Sequence, residues 1–333
     1  MKSYIKAISY YLPKKVYSNE DIVRDFPEWS VDKITDKVGI ETRHMSEYDE
    51  TAGNMAEQAA LKLFEEWSIN PSDIDFIMLC TQSPDYFLPT TACIIQHNLK
   101  IPTNAGAIDF NLGCSGYVYG LALAKGLITS GISKNVLLIT SETYSKYLHP
   151  NDKSNKTIFG DAAAATLISS DGFAEIKEFV LGTDGSGAEN LIVKTGGLKF
   201  RDKLNDFNED ENGALNHSDY LYMNGSKIFN FTQKNVPILS AQVLEKNCVK
   251  VEDIDLYIFH QANRFMLDFL RRKMKIDEKS FYCYMENVGN TVSSTIPIAL
   301  REAYRENRIL KGNNVMLAGF GVGYSWGGTI LKF

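Results

Sequence analysis

Two stretches of this chain recur at almost the same separation, and no other feature limits its possible folds so tightly. DIDFIML begins at Asp73 and DIDLYIF at Asp253, an offset of 180; NVLLIT begins at Asn135 and NVMLAG at Asn314, an offset of 179. Each is a short apolar run after a polar residue, as expected of a buried strand. Helical periodicity separates them: Thr51 to Trp67 places Met55, Ala59, Leu63 and Phe64 on one face. Strands alternating with helices predict an α/β fold. A shared offset predicts that the α/β unit is duplicated, although DID and NV before apolar residues are common patterns. Carried through, the offset maps Cys114 close to Asn290. Each would then lie at a strand-to-helix turn, one per half, facing a shared pseudo-two-fold axis.

The remaining elements fit around this frame. Residues 3–9 read as a first strand closed by Leu12-Pro13, and Asn19 as the cap of a short helix through Phe26. Glu28 to Lys37 reads as a polar segment ended by Gly39-Ile40. Pro89-Thr90-Thr91 opens a helix through Leu99. FGDAAAATL (159–167) joins a Gly-Asp turn to a run of small residues suited to close packing. Asp202 to Asp219 is acidic and poor in apolar residues, which predicts a surface loop placed to act as a flap over a site.

Ala105 to Ile128 carries the strongest chemical signal. Ala105–Phe110 reads as a buried strand, Asn111-Leu112-Gly113 as a tight turn, and Val118, Leu121, Leu123 and Leu127 as helical periodicity. Cys114 falls at the helix start, where unpaired N–H groups and partial positive charge favour a thiolate. Gly113, Ser115 and Gly116 leave room for a substrate carbonyl. The competing reading is a buried structural cysteine.

Cys80, Cys93, Cys114, Cys248 and Cys283 show no CxxC spacing, and an odd count without a framework predicts reduced thiols and a cytoplasmic home. The start of the chain, MKSYIKAISYYLPKKV, does not read as a signal peptide. No apolar run approaches a membrane span of ~18 residues. A net charge of −6 does not suit a nucleic-acid binder. The histidines and cysteines lack metal-ligand spacing, so no metal is expected.

Three further stretches stand out. His260 follows a buried strand in YIFHQAN, Asn290 lies in ENVGNTVSSTIPIA, and GFGVGYSWGG (319–328) is a glycine-rich turn. The turn lacks the context of a dinucleotide site, so its glycines are expected to let backbone approach a substrate. Each stretch also has an ordinary reading: a packed core histidine, a turn-forming asparagine, a plain turn.

Together, and in this order, Cys114 in a strand-turn-helix, His260 in HQAN, Asn290 in GNT and GFGVGYSWG resemble the β-ketoacyl-acyl carrier protein synthase III family. GIETRH (39–44), ET before a helix (50–67), the Pro89 helix, FGDAAAA (159–165) and the final ILKF extend the resemblance over the whole chain. It implies a thiolase-like α-β-α-β-α layered fold with two duplicated halves, 1–170 and 171–333, in a homodimer. It implies that Cys114 takes up an acyl group from an acyl-CoA, and that His260 and Asn290 bind a malonyl-acyl carrier protein thioester. The backbone N–H groups of Cys114 and Val322 would form an oxyanion hole. Coenzyme A and carrier-protein thioesters would be substrates, with no separate cofactor. Trp29, Lys37, Leu88, Lys153, Asn263 and Arg264 are the implied substrate-binding positions. Several depart from the family pattern: the segment after Trp29 is longer, Lys37 and Lys153 replace arginines, and Arg264 comes one place early. Phe87 and Leu88 would lie near the acyl pocket, which favours a short primer. The alternatives are a same-fold acyltransferase with an unusual acyl donor or an ester-forming, non-malonyl acceptor, a Cys-His-Asn thiol hydrolase, and a non-catalytic binder.

Overall fold

The computed structural model describes residues 2–209 and 215–333. Tyr4–Tyr11 (β1), Ala52–Trp67 (α1), Phe76–Cys80 (β2), Thr91–Asn98 (α2), Gly106–Phe110 (β3), Gly116–Thr129 (α3), Asn135–Glu142 (β4) and Ala162–Ser169 (β5) come first. Ala174–Ile176 (β6), Val180–Thr183 (β7), Gly225–Asn247 (α4), Leu256–Phe259 (β8), Arg264–Lys273 (α5), Thr295–Arg305 (α6), Asn314–Gly321 (β9) and Ser325–Lys332 (β10) follow. The strands run β8-β9-β10-β6-β1-β5-β4-β2-β3, with β7 added on β10.

The repeated sequence segments repeat in register as well. Phe76 lies opposite Val136 in the parallel pair β2–β4, and Leu256 opposite Val315 in the parallel pair β8–β9. Both β4 and β9 then turn back antiparallel, onto β5 and β10. The shared polar residues have a specific task. The Asp75 carboxylate accepts from the N–H groups of Lys134 (2.8 Å) and Asn135 (3.0 Å), and Asn135 Nδ2 donates to the Asp73 carbonyl (2.9 Å). In the second half Asp255 accepts from Asn314 N–H (2.7 Å), and Asn314 Nδ2 donates to the Asp253 carbonyl (2.8 Å). The repeat weakens at one place: the counterpart of β3 is reduced to an isolated parallel bridge between Tyr257 and Phe281.

Five layers result, as the resemblance implies. Helix α1 packs on β1, β4 and β5, and α2 on β2 and β3; α4 covers β9 and β10 and packs against α5. Between them, α3 touches β2, β4 and β5 on one side and β9 and β10 on the other, while α6 touches β1, β5 and β8. A helix enclosed by two sheets must be apolar around most of its surface, and Lys125 is the charged residue in α3. Val118, Leu121 and Ile128 of α3 join Ile296, Ala299 and Leu300 of α6 in one buried cluster with strand residues of both halves. The small residues Ala162–Ala165 lie buried in β5, between α1 and α6.

Three expectations change. The polar segment after Trp29 contains a helix, Val31–Val38, because Ile34 and Val38 are buried and Ser30 caps it. Ser18, not Asn19, caps the first short helix; Asn19 is buried and its Nδ2 donates to the Ile40 carbonyl at 2.8 Å. Residues 201–208 are exposed as expected of a surface loop, but His217 and Ser218 are buried. Asp206 accepts from Ser218 N–H (2.8 Å), and Asp219 accepts from Leu204 N–H and Asn205 N–H (both 2.9 Å), so the two sides of the loop are braced. The rest of the expected loop, 210–214, lies outside the described residues.

Candidate functional site

The loops at the starts of α3 and α6 meet at the junction of the two halves. Cys114, His260 and Asn290 are buried and line one cavity of about 760 Å³, together with Phe320, Gly321 and Asn263. The Cys114 turn is pressed against the hairpin between β9 and β10. A Cβ on Gly319 would lie 2.9 Å from the Cys114 carbonyl oxygen, and one on Gly321 would lie 2.7 Å from Cys114 Sγ. These glycines therefore make room for the cysteine turn itself, not for a substrate as expected. The backbone N–H groups of Val322 and Cys114 both favour a thiolate. They do not prevail: burial pushes the thiol up to about 12, and the nearby Glu142 adds to the rise. The expectation that the helix start leaves a lowered thiol is corrected, because desolvation of a buried sulfur outweighs two N–H groups.

His260 extends the β8–β9 ladder, its N–H donating to the Ala318 carbonyl (2.8 Å), and its ring stands edge-on to Phe320 at 5.7 Å. Burial lowers its pKa to about 3, so the imidazole is neutral. Its Nδ1 lies 2.8 Å from Thr295 Oγ1, which is also 3.0 Å from the Val292 carbonyl. Nε2 can carry the ring proton only when the single Thr295 hydroxyl hydrogen points to Nδ1. Asn290 is held by its backbone: Asn290 N–H donates to Ile158 O (2.8 Å) and Gly160 N–H donates to Asn290 O (3.0 Å). Its side-chain Oδ1 accepts from Val292 N–H at 2.9 Å, and Nδ2 donates one hydrogen to the Ala262 carbonyl (3.4 Å), which leaves its second hydrogen able to donate into the cavity.

The other expected positions scatter. Lys37 and Asn263 line the same cavity, and Asn263 also caps α5 through Met266 N–H (2.9 Å). Arg264 instead lines a charged cavity of about 850 Å³ beyond α5, and a groove shared with Lys37. Trp29 packs at the margin of the apolar cluster that contains Phe26 and Phe159, and Lys153 pairs with Glu28 and lies 5.8 Å over the Phe26 ring. Leu88 is 83% exposed and borders neither the cavity at Cys114 nor the one beside it. A second cavity of about 780 Å³ adjoins the first at Leu191 and is bordered by Gln82, Phe87, Tyr144, Tyr147 and Val322. Among the described residues no group of three or more His, Cys, Asp or Glu side chains is placed to hold a metal.

Sequence reasoning passed over Glu142, Ser293 and Thr295. Glu142 is fully buried at the end of β4, and burial pushes its carboxyl up to about 8. The available signal was a charged residue ending an apolar strand that faces a run of hydroxyl side chains.

Comparison with known proteins agrees with this arrangement. Residues 108–185 match the family model for 3-oxoacyl-[acyl-carrier-protein (ACP)] synthase III, and residues 244–333 match that for its C-terminal part. A beta-ketoacyl-[acyl-carrier-protein] synthase III of Clostridium perfringens is 38% identical over 323 residues, covering 97% of this chain and 96% of the relative. A crystal structure of a 3-oxoacyl-(acyl-carrier-protein) synthase III superposes with a TM-score of 0.97 at 46% identity, covering 100% of both chains. The priming beta-ketosynthase of the R1128 polyketide biosynthetic pathway superposes with a TM-score of 0.86 at 26% identity, covering 99% of this chain and 96% of the other.

Proposed function

This chain belongs to the 3-oxoacyl-[acyl-carrier-protein] synthase III family, and from that premise we propose that it condenses an acyl-CoA primer with malonyl-acyl carrier protein. The product is a 3-oxoacyl thioester that begins an acyl chain. The observation carrying this reading is the convergence of Cys114, His260 and Asn290 on one cavity.

Each group has a physical task. The Cys114 sulfur attacks the acyl-CoA carbonyl, the C–S bond to coenzyme A breaks, and the proton given up by Cys114 ends on the departing coenzyme A sulfur. The malonyl C–CO₂⁻ bond then breaks, and its electron pair moves into the thioester as an enolate. His260 Nε2–H and Asn290 Nδ2–H donate to the enolate oxygen, where the charge grows. The enolate carbon attacks the acyl carbonyl on Cys114, the Cys114 and Val322 N–H groups receive the oxyanion, and the sulfur leaves. Lys37 and Asn263 line the cavity, which supports a role for them in meeting the arm of the incoming thioester.

The proposed assembly is a cytoplasmic homodimer. No helix among the described residues is long and apolar enough to cross a membrane. Strand β3 ends the sheet with Ile108 39% exposed, and Phe87 and Leu88 stand 82% and 83% exposed. Such an edge with apolar side chains beside it suits a second copy.

Single-step assays test the roles. Cys114→Ala is expected to abolish acyl transfer to the protein, read by intact mass, while CO₂ release from malonyl-acyl carrier protein continues. His260→Ala and Asn290→Ala are each expected to lower CO₂ release at least 100-fold, as for loss of a donor to an oxyanion, and to leave acylation within a few-fold. Were His260→Ala to block acylation as fully as condensation, His260 would be the base for the thiol. Free acid without a new C–C bond would favour the thiol hydrolase.

A further inference from the structure

Glu142 is a fully buried carboxyl that the chemistry above does not use. Its Oε1 accepts from Ser293 Oγ–H (2.9 Å), and its Oε2 accepts from Gln82 N–H (3.0 Å) and Ser83 Oγ–H (3.4 Å). An amide could not satisfy this set so simply, because it offers one oxygen and turns an NH₂ group toward a donor. Ser293 belongs to the Asn290–Thr295 turn that leads into α6. That turn contains Val292 at φ 58°, a left-handed conformation that a β-branched residue adopts only when its surroundings enforce it. The same turn supplies Asn290 and, through Thr295, the contact to His260 Nδ1. It is tied to the first half from one face of β4: Ser293 to Glu142, and Ser294 Oγ to the Thr140 hydroxyl Oγ1 (2.8 Å). Residues 140 and 142 are two apart on a strand and so share that face.

We propose that Glu142 is a positioning residue which, through Ser293, holds the strained Asn290–Thr295 turn and thereby aims Asn290 and His260 at the malonyl thioester. The role rests on the functional reading above. It separates two duties of one carboxyl-lined junction: the Cys114 turn stands on the β9–β10 hairpin, while the Asn290 turn stands on β4. Loss of Glu142 therefore loosens the decarboxylation groups and leaves the nucleophile seated.

The test compares Glu142→Ala, Ser293→Ala, their double variant and Glu142→Gln in the full chain, with acetyl-CoA and malonyl-acyl carrier protein as probes. Glu142→Ala and Ser293→Ala are each expected to lower kcat for CO₂ release at least tenfold, with KM within threefold of wild type and Cys114 acylation no more than threefold slower; in Glu142→Ala acylation can only gain from the loss of a carboxyl that raises the thiol. The double variant should be no slower than the worse single, because the Ser293–Glu142 bond is already absent in each single variant. Glu142→Gln should recover part of the rate, since its amide oxygen can still accept from Ser293. CO₂ release within threefold of wild type in Ser293→Ala, or acylation falling in parallel with it, overturns the proposal; Ser293→Ala decides the matter if Glu142→Ala does not fold. If the wild-type chain neither takes up an acyl group nor releases CO₂, the functional reading fails separately. The positioning role is then read from ring ¹⁵N signals of protein labelled at its five histidines. Ser293→Ala should move the His260 signals and spare the rest, and unmoved His260 signals overturn it.

Discussion

Cys114 shows how a residue's position can be legible in sequence while its chemical state is not. Its place before a helix is legible in the chain, and helix starts do stabilise thiolates. Burial depends on the β9–β10 hairpin, which comes 200 residues later in the chain, and it reverses the sign, to a thiol at about 12. Brief iodoacetamide treatment at pH 7 is therefore expected to label the exposed Cys248 before Cys114. Labelling of Cys114 should rise about tenfold per pH unit from 7 to 9, following its thiolate fraction. A plateau below pH 8, read by peptide mapping, would show a lowered thiol after all. The histidine gives a second test. A folded-state pKa of about 3 lies below the ordinary 6.5, so protonation begins only at strongly acid pH. CO₂ release should then show no loss attributable to His260 between pH 8 and pH 5. An acid limb centred near 6.5 that disappears in His260→Gln would contradict the buried neutral ring.

At the scale of elements, the duplication was legible because its polar markers perform the same bonds twice. Asp75 with Asn135, and Asp255 with Asn314, each join the start of one parallel strand to the start of the next. The bonds differ in number and setting, which gives unequal stakes. Asp75 is partly buried and accepts from two backbone N–H groups, whereas Asp255 is exposed and accepts from one. At about 1 kcal/mol net per bond, Asp75→Ala should cost ~2 kcal/mol and Asp255→Ala ~1 kcal/mol. Urea unfolding of the two variants checks this, and an equal loss would mean that the Lys134 bond contributes nothing. What stayed hidden has a common cause. The Val31–Val38 helix lies in a charged stretch and is fixed by two buried side chains, Ile34 and Val38. Glu142 ends a strand, where an acidic residue usually reaches solvent, and it is enclosed by residues distant in the chain, Gln82 and Ser83 in the first half and Ser293 in the second. Local pattern records what a segment can bury; it does not record which distant segment will cover it.

At the scale of the whole molecule the open question is what covers Leu88. In a single chain it is 83% exposed, beside Phe87, which is 82% exposed yet borders the second cavity. That cavity shares Leu191 with the one that Cys114 lines and is bordered by Val322; under the proposed function it is the space offered to an acyl chain on the sulfur. In a homodimer built on the β3 edge, the 86–88 segment of one copy can close the acyl cavity of the other, and Leu88 would then set its depth. Sedimentation should give a particle of about twice 37.4 kDa, and Phe87→Asp should shift it toward the monomer by placing a charge in an apolar contact. Chain length follows from the same geometry. Replacing Leu88 by Ala removes apolar volume from the cavity wall, and each added methylene that fills it contributes ~0.8 kcal/mol. Leu88→Ala is therefore expected to extend the acyl chains accepted by a few carbons. Incubation with acyl-CoAs of graded length, read as the adduct on Cys114 by intact mass, measures the profile directly. A dimer with an unchanged profile would place Leu88 away from the acyl cavity, and a monomer with a changed profile would require Leu88 to reach the cavity of its own chain.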